Sequence, residues 1–179
     1  AHLGGGISVA AHRRGRVVDV NNALEEGPFS PERSGTLPSM QLLDLCFSGR
    51  YGREEIRRML VGAGGLFAYL GTTDGRLIEE RVAIGDPAAA EAMSAMVFQI
   101  AKEIGASATV LDGQVDAILL TGGLARNRGL VEAIRWKVSF LAPVRVYPGE
   151  AEMEALAEGA SLALSGRLPL LEYETEAMA

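Results

Sequence analysis

The chain has 179 residues, 48% apolar and 22% charged, which suits one soluble globular domain with a real core. A formal net charge of −6 argues against a nucleic-acid surface or an anionic membrane as partner. Cys46 is the only cysteine, so an internal disulfide and a cysteine-based metal site are excluded, and a reducing, cytoplasmic setting is the simplest expectation. No apolar run is long enough to cross a bilayer, and no signal peptide is expected.

The first twelve residues organise the rest. Leu3 leads into Gly4, Gly5 and Gly6, and Ile7, Val9 and Ala11 then alternate with Ser8, Ala10 and His12, as in a strand. Glycines let the backbone approach a ligand and turn N–H groups toward it, which suits a phosphate. The reading is strand, phosphate-facing turn, strand, with a plain hairpin turn as the alternative. Only Ala1, His2 and Leu3 precede the glycines, too few for the strand such a turn needs, so the sequence is expected to be a piece of a longer protein. A polar turn over 12–16 and a second β-branched run at Val17, Val18 and Val20 complete a β-hairpin region over 1–20.

Residues 21–38 are irregular and dense in turn formers, and a segment of this length without periodicity is usually functional or disordered. Within it lies the charged cluster Glu32-Arg33-Ser34-Gly35, for which a solvated loop is the plain alternative. A helix is expected from Ser39, with Leu42, Leu43, Leu45 and Cys46 on its apolar face, ending at Ser48-Gly49. A second spans 53–60. Residues 63–71 read as a loop packed on the core, or else a glycine-rich binding loop, and 76–84 look helical. Asp86 and Pro87 then start the longest helix, which runs to about Leu111 with Met93, Met96, Val97, Ile100, Ile104 and Val110 near one core-facing stripe.

Residues 115–120 form an apolar run like a buried parallel strand, ending at Thr121-Gly122-Gly123. A helix over 128–140, a strand over 144–147 and a turn at Pro148-Gly149 follow. The last helix, 152–164, should turn Met153, Leu156, Ala157, Ala160 and Leu164 inward, and 166–179 is a weakly ordered tail. The class is therefore α/β: a mixed sheet beginning with a β-hairpin, then β-α-β-α, with helices on both faces. Two glycine turns leave separate strands, and open α/β sheets bind ligands at strand carboxyl ends, so both turns can face one nucleotide. The sequence contains no P-loop, no complete G-x-G-x-x-G and no G-x-S-x-G. Its two histidines, His2 and His12, make no metal site by themselves.

This is the architecture shared by actin, sugar kinases and heat-shock ATPases, a ribonuclease H-like fold. Within it the chain resembles the acetate kinase family, in its butyrate kinase branch. Residues 2–8, His-Leu-Gly-Gly-Gly-Ile-Ser, resemble the family's phosphate motif. Residues 28–35 are similar to the segment that reads T-R-S-G in acetate kinases, 120–127 to its adenosine loop, and 146–160 to its last strand and helix. The likeness spans nearly the whole chain but only the C-terminal half of such an enzyme.

What the resemblance implies is transfer of a phosphoryl group between ATP and a short-chain carboxylate, butyrate (or isobutyrate) by preference, giving an acyl phosphate and ADP, with acetate, propionate or branched-chain acid kinases as the near variants. It implies Arg33 as the clamp on the carboxylate and the transferring phosphoryl, and His2 as a donor to that phosphoryl. It implies Gly4, Gly5 and Gly6 on the phosphates, and Gly122, Gly123 and Asn127 on the adenosine. Glu152 aligns with a magnesium-linked glutamate, with Glu150 and Glu154 as alternatives two residues away, and Mg²⁺ itself should rest mostly on phosphates and water. Residues 1–179 become a single C-terminal nucleotide-binding domain of a two-domain kinase: phosphate-loop hairpin 1–20, catalytic loop 21–38, helical region 39–111, adenosine-binding β-α-β-α 115–165 and tail 166–179. The absent N-terminal domain and a second copy, as homodimer or larger assembly, are the implied partners, and the fragment alone should be inactive. An actin-like or chaperone-like ATPase switch is the alternative of another class. Arg33 in its R-S-G setting separates the two, because a switch needs no carboxylate clamp.

Overall fold

A computed structural model describes residues 1–149 and 151–170. The chain divides into two units, Ala1–Gly149 and Glu150–Ala179. In the first, β1 (His2–Leu3) pairs antiparallel with β2 (Ile7–Ser8) across the three glycines. On its other side β1 pairs parallel with β5 (Ile118–Gly122), and β5 pairs parallel with β6 (Val144–Pro148), giving a mixed sheet of order β2-β1-β5-β6. A separate hairpin joins β3 (Ala10–Arg13) to β4 (Arg16–Val20). Its two-residue turn, Arg14-Gly15, has φ of 53° and 76°, the left-handed pair that a type I′ turn requires.

Six helices belong to this unit: α1 (Ser39–Phe47), α2 (Arg53–Leu60), α3 (Gly65–Leu70), α4 (Gly75–Ala83), α5 (Pro87–Val110) and α6 (Arg128–Val138). α5 begins where Asp86 predicts, since the Asp86 carboxylate accepts from the N–H groups of Ala88 (2.9 Å) and Ala89 (3.3 Å) and Pro87 needs no partner. Met96, Val97, Ile100 and Ile104 are buried along its inner stripe, whereas Met93 is only partly covered and Val110, the last helical residue, is exposed. These side chains share one core with Leu3, Ile7, Phe29, Ile118, Leu120, Leu130 and Ile134, which is how the helical layer fixes the position of β1 and β5.

Other expectations for this unit change as well. Residues 65–70 form α3 rather than a loop; six residues are too few to show a helical period, and Gly71, at φ 70°, stops the helix in the left-handed conformation. β5 starts three residues later than the apolar run, and only alternate residues are buried: Ile118 and Leu120 stand opposite Val144 and Val146 on the core side, while Leu119 is 47% exposed beside Arg145. An apolar run carries no information about which face a strand covers. α6 ends at Val138, and Phe140 is exposed beyond it.

In the second unit, α7 (Glu152–Leu164) is helical as expected, but none of its residues is buried. Met153, Leu156, Ala157, Ala160 and Leu164 are exposed rather than turned inward, because the described part of this unit holds no second element to cover them. Residues 166–170 are irregular; the rest of the expected tail, 171–179, and Glu150 lie outside the described residues.

Arg81 ties three helices together. Its Nε lies 2.7 Å from Asp86 Oδ2, and its Nη1 donates to the Leu70 carbonyl at the end of α3 (2.9 Å). The Arg81 hydrogen bond, helped by the Ala89 N–H, holds the Asp86 carboxyl below its ordinary value of 3.8. A carboxyl that titrates lower when folded stabilises the fold above its unfolded pKa, and that contribution disappears as pH falls through the folded value. Asn still caps a helix, so Asp86→Asn isolates the ion pair. The variant should unfold a few degrees lower than the parent at pH 7, with the gap closing below about 3.8, as followed by circular dichroism melts across that pH range.

Candidate active site

The turn between β1 and β2 is closed by the Gly4 N–H donating to the Gly6 carbonyl (3.1 Å). None of Gly4, Gly5 and Gly6 has a positive φ, so backbone conformation is not what demands glycine here. Crowding does. A Cβ on Gly6 would overlap the Arg33 guanidinium, one on Gly5 would sit 3.2 Å from Glu32 Oε1, and one on Gly4 would sit 3.1 Å from His2 Nε2. Residues far apart in sequence therefore press on one bare stretch of backbone.

The Arg33 loop is held by main-chain hydrogen bonds to the segment that leads into α3. The Ser34 N–H donates to the Leu60 carbonyl (2.9 Å), the Gly62 and Gly64 N–H groups to Glu32 (2.8 and 3.1 Å), Leu66 to Ser30 (3.0 Å) and Phe67 to Pro31 (2.9 Å). Gly65 has φ +57°, and a Cβ there would overlap the Ser30 carbonyl; one on Gly64 would come within 2.7 Å of the Ser34 nitrogen. Packing against the Arg33 loop thus accounts for Gly64-Gly65 without a second nucleotide loop. Asn21 closes the other side, its Oδ1 accepting from the Val9 N–H (2.5 Å) and its Nδ2 donating to Ile7 (3.2 Å) and Glu26 (3.3 Å).

The Arg33 side chain donates from Nη1 to the Ala23 carbonyl (3.1 Å), and its Nε is buried with no hydrogen-bond partner among the described residues. A buried, always-charged donor without an acceptor is costly unless an anion completes it. His2 reaches the same region from β1. Its Nδ1 pairs with Thr121 Oγ1 at 3.1 Å, because parallel pairing sets His2 beside Thr121. Gly122 follows at φ 90°, where a Cβ would lie 2.5 Å from the Leu3 carbonyl oxygen. Gly123 differs: a Cβ there would meet nothing within 4 Å, so packing in the described chain does not explain the glycine.

His2, Gly4, Gly5, Gly6 and Arg33 thus come together, and the second glycine pair is joined to them through Thr121. Asn127 caps α6, its Oδ1 accepting from the Leu130 N–H (2.9 Å). Glu152 and Glu154 are exposed in the first turn of α7, in the other unit. Among the described residues no group of three or more His, Cys, Asp or Glu side chains could hold a metal ion. Sequence reasoning did not single out Asn21, Ser30 or Thr121, since a polar residue among turn formers carries no sign of what it will bond.

The acetokinase family model matches residues 1–145. The chain belongs to the acetokinase family. It is 52% identical over 174 residues to a protein named probable butyrate kinase in Bacteroides thetaiotaomicron, covering 97% of this chain and 49% of that one. It is 54% identical to probable butyrate kinase 2 of Caldanaerobacter subterraneus subsp. tengcongensis, with 93% and 47% covered, and 51% identical to butyrate kinase 2 of Clostridium acetobutylicum, with 97% and 49% covered. The chain spans about half the length of these curated relatives. Among solved structures, Porphyromonas gingivalis acetate kinase superposes with TM-score 0.79 at 24% identity, covering 90% of this chain and 47% of that one. Entamoeba histolytica acetate kinase gives 0.77 at 22%, with 89% and 50% covered. Those likenesses bear out the α/β, actin-like ATPase fold expected for this acetokinase chain.

The two glycines of the second turn should respond differently to a methyl group. In the full-length protein, Gly123→Ala should leave the melting temperature unchanged, because a Cβ there meets nothing within 4 Å; weaker nucleotide binding by calorimetry would assign that space to a ligand. Gly122→Ala should lower the melting temperature sharply, since its Cβ meets the backbone of β1.

Proposed function

We propose that this chain is the C-terminal, nucleotide-binding half of a short-chain carboxylate kinase that passes the γ-phosphoryl group of ATP to butyrate, yielding butyryl phosphate and ADP. The observation that carries the reading is Arg33, pressed onto the three-glycine turn with a buried Nε that lacks an acceptor among the described residues. Phosphoryl transfer needs cations and N–H donors on the equatorial oxygens and an aligned nucleophile. A guanidinium fork can meet both the attacking carboxylate and the transferring group. Identity of 51–54% to proteins named butyrate kinases favours butyrate, with isobutyrate and acetate as near variants.

In this proposal Arg33 clamps the acid and the phosphoryl group, His2 donates to the phosphoryl oxygens, and the N–H groups of Gly4, Gly5 and Gly6 line the phosphates. Gly122 and Gly123 border the adenosine. With Oδ1 engaged in the helix cap, Asn127 has its Nδ2 amide to offer the nucleotide. The described residues supply no ligand set for Mg²⁺, and Glu152 is a single exposed carboxylate. The metal would therefore travel on phosphates and water, and no step here runs through it. The remaining half of the protein would close over the nucleotide. Self-association through this half belongs to the same reading, supported by α1, which buries none of its residues and exposes Met40 and Phe47. A cytoplasmic setting is also part of it; no described helix is long and apolar enough to cross a membrane.

Hydroxylamine trapping of acyl phosphate by the full-length protein, with MgATP and butyrate, isobutyrate or acetate, tests the reaction. Butyrate should lead. Arg33→Ala should cut the signal by about 10²–10³-fold, the cost of losing one transition-state donor, with nucleotide affinity nearly intact. ATP hydrolysis without hydroxamate from any acid would instead point to an ATPase switch. Residues 1–179 alone should show no kinase turnover.

A further inference from the structure

Ser30 is the one fully buried polar residue among those described, at 0% exposure. Its hydroxyl donates to the Gly5 carbonyl (2.5 Å), 25 residues away in sequence, and accepts from the Arg33 N–H (3.2 Å). Its own N–H donates to the Arg33 carbonyl (3.0 Å), and its carbonyl accepts from Leu66 (3.0 Å). A buried serine could spend its hydroxyl locally; this one reaches across to the glycine turn. One oxygen thus joins the backbone that carries Arg33 to the turn on which the guanidinium rests.

We propose that Ser30 is a positioning residue for Arg33, its hydroxyl fixing the distance between the Arg33 backbone and the three-glycine turn. The proposal rests on the reading of Arg33 as the acid and phosphoryl clamp. The reason is geometric. A guanidinium lying on Gly6 has no side chain beneath it to stop it sliding, and Nη1 holds only one end, at Ala23. The Ser30 bridge sets where the arginine's main chain begins, and so how far its fork reaches past the turn. Small misplacements of such a group are expensive in rate.

The test uses the full-length protein. Ser30→Ala removes the bridge, and Ser30→Cys fills the space with a poor donor. Both should lower kcat for acyl phosphate formation about tenfold or more, with KM for MgATP within about twofold and the melting temperature within a few degrees of the parent. In an Arg33→Ala background, Ser30→Ala should cost less than about twofold further, because residues acting through one another are not additive. Modification of Arg33 by phenylglyoxal, read by peptide mass spectrometry, should be faster in Ser30→Ala than in the parent. A Cys variant with parental kcat, an equal loss in both backgrounds, or unchanged Arg33 reactivity would each overturn the positioning role. Faster Arg33 modification in a protein that phosphorylates no acid would keep Ser30 as the positioner and reject the kinase reading instead.

Discussion

The site depends on one contact: the guanidinium of Arg33 lies against the backbone of Gly6, where even a methyl group would overlap it. Everything around it serves that approach. The turn is bare, and none of residues 4–6 has a left-handed backbone. The arginine arrives from a loop pinned by main-chain hydrogen bonds to the segment entering α3, and Gly64-Gly65 lets the two backbones meet. The cost is a buried charged nitrogen without an acceptor among the described residues. A stable protein tolerates such a group where a water, an ion or a ligand supplies what is missing.

A second constraint is the parallel pairing of β1 with β5. It sets His2 beside Thr121 and brings the backbone of Leu3 so close to Gly122 that no side chain fits. Two glycine turns, more than a hundred residues apart in sequence, thereby become neighbours. The core that holds this pairing runs from Leu3 and Ile7 through Leu120 to Met96 and Ile100 of α5. The helical layer shares that core and so determines where the two turns stand. Arg81, linking α3, α4 and Asp86 of α5, gives that layer its internal bracing.

Much of this was legible in the residues. Asp86-Pro87 announces α5 because an N-cap and a proline at the first helical position satisfy the orphan N–H groups locally. Gly4, Gly5, Gly6 and the R-S-G cluster stand out because glycine and arginine there serve no helical or strand period. Local chemistry determined these features, and a sequence records local chemistry directly. Other features needed partners from elsewhere in the chain. Leu119 is exposed and Leu120 buried because α5 and α6 cover one side of β5, which an unbroken apolar run does not encode. α3 is a single short helix whose register is decided by the loop it packs against. Ser30 is an unremarkable serine until folding seals it between Gly5 and Arg33. By itself, then, the sequence determined most of the elements in their order, α3 excepted, together with the glycine turns and the R-S-G cluster, because each is set by its neighbours along the chain. Only the tertiary structure decided which faces are covered and how Arg33 meets Gly6, because those depend on groups brought together across long stretches of sequence.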